Sequence, residues 1–453
     1  MSVGKSCRDP ESLREEGLLA PPIYTEGGSY TTMRIARAAA AAAAALAPLL
    51  AGAVDNGLGL TPPMSFSTWN SYELNYNETT IRSLVDTLVR FGYRDAGYRY
   101  VGMDDGYALK DRGPDGRIQI DLARFPSGFG AAPGTLTSFI HEQGLLVWVY
   151  SGTFTVGCEG FPGTLGHEQL DADTFANWTA DLLKLDNCQF PGDPAAQYAK
   201  VGAALNASGR PIFFMACDWG QNNPWVELPR IANSFRIDHD NSPNFDDMLR
   251  IVSNAEGLAK YAGPGHWLDL DMLEVGNLGD EDWYTQTHIE ADKAQFAIWC
   301  IYKSVLTLGT TIENLQNATY AAILTNAELI AWNQDRLGIA GDVVSHEGPN
   351  RILAGPLADG SRAVVLFNAH TPWQTVDFNI FTLDFGAIGL SETTQARVRD
   401  VYLHEDLGVF TGSVGNISVP LHGCRALQVF PLAASDAAWR PWHARARASV
   451  KEL

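Results

Sequence analysis

Between Gly57 and Leu337, short apolar β-rich runs alternate with longer helix-compatible stretches, and this alternation narrows the choice of fold more than any other feature. The runs are residues 63–70, 98–104, 145–151, 181–186, 211–217, 234–238, 266–271 and 305–312; helical periodicity marks 78–92, 134–143, 195–206 and 287–303. Parallel strands cannot be joined by tight turns, so strand–helix alternation points to a parallel sheet wrapped by its crossovers. Eight runs make a (β/α)8 TIM barrel over residues 54–340 the economical expectation, with a doubly wound open sheet as the alternative. After Leu337 the texture changes to short alternating strands such as 362–367 and 425–430, divided by Gly, Pro, Asn and Asp turns. Residues 341–433 are therefore expected to form a C-terminal antiparallel β-sandwich domain, followed by a tail at 434–453.

Carboxylates recur where the barrel runs end. Asp104 and Asp105 close the second, Asp186 the fourth, Asp238 and Asp240 follow the sixth, and Asp269 and Asp271 lie on the seventh. Acidic residues are depleted in strands, and in this architecture the site sits at the C-terminal strand ends, so the recurrence predicts a ring of carboxylates around a pocket. Any single member can equally be a solvated loop acid or a helix cap. Lys184 and Asp186, two apart on one strand, point the same way, and the cation is expected to keep Asp186 ionised. Asp240 suits a proton-holding partner, with Asp238 as a competitor. Such a pair, about 5 to 5.5 Å apart, is what glycoside hydrolysis with retention needs. Trp69 and Trp219, flanked by polar residues, are candidates to stack on a pyranose, with Arg236 bonding hydroxyls; Trp148, mid-strand, reads as core.

The formal charge of −20 repels polyanions and anionic lipid, which argues against nucleic acid and fits a neutral substrate; the paired carboxylates and tryptophans suit a neutral carbohydrate. Met33, the basic Arg34 and Arg37, the Ala/Leu run 38–50 and Ala51-Gly52-Ala53 read as a signal peptide over 33–53 within a leader of 1–53, too short in its apolar part to remain as a membrane anchor. Secretion is the expectation. Sequons at Asn77, Asn177, Asn206, Asn317 and Asn416 agree. With Cys7 in the leader, Cys158, Cys188, Cys217, Cys300 and Cys424 remain, an odd set without zinc-ligand spacing. No cofactor or metal is expected, although Asp-x-Asp pairs could also serve as Mg²⁺ or Ca²⁺ ligands.

Ordered motifs across 57–431 sharpen this reading: Leu60-Thr61-Pro62-Pro63-Met64 before Trp69-Asn70, then Asp104-Asp105-Gly106, Arg124-Phe125-Pro126-Ser127-Gly128 and Pro162-Gly163-Thr164-Leu165-Gly166. Lys184-Leu185-Asp186-Asn187-Cys188, Cys217-Asp218-Trp219-Gly220, Ala262-Gly263-Pro264-Gly265 and Asp271-Met272-Leu273-Glu274-Val275-Gly276-Asn277 follow. The chain resembles the melibiase-type α-galactosidases, glycoside hydrolase family 27. The resemblance implies Asp186 as nucleophile and Asp240 as acid/base, and it implies a galactose site made by Trp69, Asp104, Asp105, Tyr150, Lys184, Cys217, Trp219, Arg236, Asp271 and Met272. It also implies a Cys158–Cys188 disulfide, and the loss of a second disulfide whose positions are Leu74 and Gly106. Family motifs are altered at Gly152, Asp218 and the segment Phe235-Arg236-Ile237-Asp238-His239-Asp240-Asn241, where the usual residues are Trp-Arg-Thr-Thr-Gly-Asp-Ile. These changes keep β-L-arabinopyranoside or α-glucan specificity, or a non-catalytic sugar-binding homologue, as alternatives.

Overall fold

The computed structural model describes residues 56–188, 190–277, 288–370 and 378–432. The leader with its signal-like segment and the tail at 434–453 lie outside these residues.

All eight runs form strands: β1 (Met64–Ser67), β2 (Tyr100–Met103), β3 (Leu146–Gly152), β4 (Leu182–Asp186), β5 (Phe213–Cys217), β6 (Ser234–Arg236), β7 (Trp267–Asp269) and β8 (Leu306–Leu308). They pair in parallel in the order β7-β6-β5-β4-β3-β2-β1-β8, and a parallel bridge from Leu273 to Leu308 links the two ends. The curled sheet is a (β/α)8 barrel. β1, β2, β6, β7 and β8 stop short of their expected C-terminal ends, because the chain leaves the ladder there, whereas β3, β4 and β5 run to theirs. Trp69–Tyr72 and Ile312–Leu315 are helical turns rather than strand.

The crossover helices are α1 (Glu78–Arg90), α2 (Leu136–Glu142), α3 (Glu168–Asn177), α4 (Pro194–Ala207), α5 (Phe245–Ala255) and α6 (His288–Ile301). Local chemistry starts several of them. Asn77 caps α1, bonding Thr80 N while Thr80 returns the contact, and Asn244 caps α5 by accepting from Asp247 N at 2.8 Å. Among the described residues no helix is long and apolar enough to cross a membrane.

The second half is antiparallel. A six-stranded sheet of β9 (Asp342–Glu347), β10 (Asn350–Pro356), β11 (Arg362–Phe367), β13 (Gln395–Asp400), β14 (Glu405–Thr411) and β16 (Cys424–Pro431), in the order β14-β13-β16-β11-β10-β9, faces a ribbon of β12 (Phe378–Asp384) and β15 (Ser413–Pro420). In β11 (Arg362–Phe367) the two-residue period divides the side chains. Val364 and Leu366 enter the core against Phe381 and Leu383 of the ribbon, whereas Ala363, Val365 and Phe367 join the core of the barrel. Helix α6 lies between barrel and sheet and has ten of its fourteen residues buried, which explains why it has no polar stripe.

Candidate active site

A cavity of about 360 Å³ opens at the C-terminal ends of the barrel strands. Asp104, Asp105, Lys184, Asp186, Arg236 and Asp271 are all buried in its wall, and Asp240 stands at its rim with a side chain 67% exposed. Trp69, Tyr150, Trp219 and Met272 join them as expected, and Cys158, expected only in a disulfide, lines the cavity too. Cys217 does not reach the surface of the cavity. It lies one strand over from Asp186, with Arg236 Nη1 3.6 Å from its sulfur.

Each strand end contributes through its register. Lys184 pairs with Tyr150 of β3, and Asp186 with Cys217 of β5. Tyr150 Oη donates to Asp186 Oδ2 at 3.3 Å, while Asp186 Oδ1 has no hydrogen-bond partner. Buried carboxylate oxygens are rarely left in this state. Cys158 and Cys188 form a disulfide whose Cα atoms are 5.1 Å apart, tying the β4 end to the loop after β3. These cysteines and Asp186 bring three potential metal donors together, but the two sulfurs are bonded to each other.

The electrostatics correct two expectations. Lys184 Nζ donates to Asp104 Oδ2 at 3.1 Å, so its direct partner is not Asp186. Burial raises the Asp186 carboxyl above its ordinary pKa, with nearby Lys184 opposing that shift and the Asp240 charge adding to it. Asp240 is ion-paired with Arg236 at 2.6 Å. Partial burial pushes its pKa up, yet Arg236 and Lys184 outweigh this and leave it lowered, the opposite of a resting general acid. Asp105 is raised to about 7 by burial and by the charge of Asp104.

Asp238 drops out as a competitor. It is buried away from the cavity, 2.6 Å from Arg250, and accepts from Asn254 Nδ2 at 3.0 Å. Two lining residues sit under backbone constraint: Trp219 at φ 50° and Asp271 at φ 72° occupy the left-handed region that side chains avoid.

The model of the family described as alpha galactosidase A matches residues 61–335, and that of the alpha galactosidase C-terminal beta sandwich domain matches 347–429. The α-galactosidase of Cyamopsis tetragonoloba is 37% identical over 83% of this chain and 88% of its own. This chain belongs to the melibiase family of α-galactosidases, glycoside hydrolase family 27. Solved structures agree. α-Galactosidase I from Mortierella vinacea superposes with a TM-score of 0.74 at 31% identity, covering 83% of this chain and 98% of that one. The Saccharomyces cerevisiae α-galactosidase solved with raffinose gives 0.74 at 26%, covering 84% and 100%.

The geometry explains several departures from the family motifs. A Cβ at Gly152 would lie 2.7 Å from Gly157 Cα, so the backbone there leaves room only for glycine. Asp218 holds the strand end by accepting from Asn187 Nδ2 at 2.6 Å. Leu74 and Gly106 do meet, since a Cβ on Gly106 would fall 2.8 Å from Leu74 Cδ2. Trp148 is core, as its mid-strand place predicts, clustered with Leu182, Phe213 and Trp267.

Sequence reasoning assigned no role to Asn70, Glu73, Glu159, Asn241, Ser242 or Pro243, all of which line the cavity. Asn70 and Asn241 stand inside motifs already quoted and were findable. Asn70 Nδ2 bonds Glu274 and also lies 3.4 Å from the Asn241 carbonyl, joining the first and sixth strand ends. Nothing in the sequence marks Glu73 or Glu159.

Proposed function

We propose that the protein is a retaining α-galactosidase that releases terminal α-D-galactosyl residues by double displacement. Asp186 attacks the anomeric carbon while Asp240 protonates the departing oxygen; Asp240 then takes a proton from the water that hydrolyses the glycosyl-enzyme. The observation that carries this reading is the state of Asp186, a carboxylate in the cavity wall with one oxygen held by Tyr150 and the other unbonded. Around it, Asp104, Asp105, Lys184, Arg236 and Asp271 supply charged partners for hydroxyls, and Trp69 and Trp219 supply apolar ring faces. The named relatives, α-galactosidases over most of the chain, favour galactose over other sugars. The role of Asp240 requires it to leave Arg236 when substrate enters. Its exposed side chain can turn while Arg236 stays bonded to Asp271 at 2.5 Å.

The test is the configuration of the first product. Proton NMR during hydrolysis of 4-nitrophenyl α-galactoside is expected to show α-galactose before mutarotation, and initial β-galactose would refute double displacement. The Arg236–Asp240 ion pair favours one other reading, a sugar-binding protein without turnover. Galactose binding by calorimetry with no hydrolysis of any glycoside would establish that instead.

We infer also that the chain is secreted. In support, all five sequon asparagines are exposed, and Cys158–Cys188 suits an oxidising compartment. Intact glycopeptide mass spectrometry on protein from a eukaryotic secretory host is expected to find N-glycan on at least three of Asn77, Asn177, Asn206, Asn317 and Asn416; five bare asparagines would count against the route.

A further inference from the structure

Arg250 stands on α5, ten residues beyond Asp240, and reaches back to the acid/base loop. Its Nη1 lies 2.6 Å from Asp238 Oδ2, and its Nη2 donates to the main-chain carbonyl of Asp240 at 3.0 Å. The same Nη2 is 3.3 Å from Asp247 Oδ1, and Asp247 Oδ2 accepts from Ser242 N at 3.2 Å. Arg250 and its partner Asp247 thus hold the loop at its start, middle and end. On the far side Asn241 N donates to Asp271 Oδ2 at 2.6 Å and Asn241 Nδ2 to the Met272 carbonyl at 2.9 Å.

The helix that carries this clamp is itself anchored from the β domain. Phe245, at its first position, stacks on His422 with ring centroids 3.8 Å apart and planes at 18°, and lies 6.0 Å from Phe367. The backbone around Asp240 is therefore fixed on both sides, while its carboxyl is bonded to Arg236 and largely exposed.

We propose that Arg250 is a positioning residue, which fixes the main chain of Asp240 so that the carboxyl pivots between Arg236 and the departing oxygen. The inference rests on Asp240 being the acid/base. It gives a reason for the altered segment: Asp238 stands where the family has Thr, and a threonine has no charge to pair with the guanidinium. Proton transfer is sensitive to placement, and an error of about 1 Å is enough to cost on the order of 100-fold.

The test compares two substrates with the full-length protein. Melibiose needs its leaving oxygen protonated, whereas 2,4-dinitrophenyl α-galactoside does not. For Arg250→Ala, kcat/KM on melibiose is expected to fall roughly 10- to 100-fold while that on the dinitrophenyl substrate changes by less than about 3-fold. Arg250→Lys should recover part of the melibiose loss. An equal loss on both substrates, or none on either, overturns the proposal. If Arg250→Ala does not fold, Asp238→Asn removes the ion pair while keeping an acceptor for Asn254, and the same comparison applies. Asp240→Ala separates the two levels: if it shows no leaving-group dependence the acid/base assignment fails, and if it does while Arg250→Ala does not, only the clamp fails.

Discussion

Asp186→Asn is expected to lower kcat/KM on 4-nitrophenyl α-galactoside by roughly 10⁴-fold or more, the scale seen when a catalytic nucleophile is removed. The amide keeps the size of the side chain and can still accept from Tyr150, so the fold and the disulfide-tied strand end should be unchanged by circular dichroism. What disappears is the charge that must bond to carbon. A sharper version uses Asp186→Gly with azide. The small anion enters where the carboxylate stood and attacks from the same face, so β-galactosyl azide should accumulate. Asp240→Ala with azide should instead yield α-galactosyl azide, because the glycosyl-enzyme still forms first. Asp186→Asn activity within tenfold of the parent would refute the nucleophile.

The second large effect is on stability against pH. Burial raises many carboxyls, among them Asp105 and Glu274 to about 7, Asp218 and Asp269 to about 6, and Asp292 to about 8. Each folded value exceeds the ordinary carboxylate value, so the native state holds protons that the unfolded chain has released. Their contribution is fully present below about pH 4 and is lost as pH rises through the folded values, between about 6 and 8. A smaller set works the other way. Hydrogen bonds and Arg82 hold Glu78 below its usual value despite some burial, and bonds from Arg399 and His404 do the same for Glu328; their help is lost as pH falls below about 4. Maximum stability is therefore expected on the acid side of neutrality. The melting temperature should drop by roughly 5 °C or more from pH 5 to pH 8, since a shift of one pKa unit is worth about 1.4 kcal/mol. Asp292→Asn, which has the same shape as the protonated acid, should flatten that slope. A melting temperature that rises from pH 5 to pH 8 would contradict the argument.

Asp292 and Glu274 also tie the loop to the cavity wall. Glu274 accepts from Asn277 Nδ2 at 2.8 Å and from Asn70, Asp292 accepts from Gly276 N at 3.1 Å, and both carboxyls lie beneath the loop that carries Asp271 and Met272. Loop and cavity wall are thus one hydrogen-bonded unit.

Much of this was legible in sequence order alone. Strand–helix alternation specified a parallel sheet, because parallel strands demand crossovers, and only the pairing of its first strand with its last in the structure decided for the closed barrel over an open sheet; carboxylates at strand ends marked the pocket, because that is where an acid can escape the apolar ladder. Period two placed Lys184 and Asp186 on one side of β4. Partner choice was another matter. Lys184 bonds Asp104, 80 residues away, Asp240 rests on Arg236, and Asp238 is drawn off by Arg250 on a helix that follows. Sequence spacing gives the direction of a side chain along its own strand, but the charge it meets comes from neighbouring strands and helices, and the water it loses depends on everything packed above it. Both are properties of the closed barrel, and they decide which carboxylate of this protein is buried and raised and which is paired and held down.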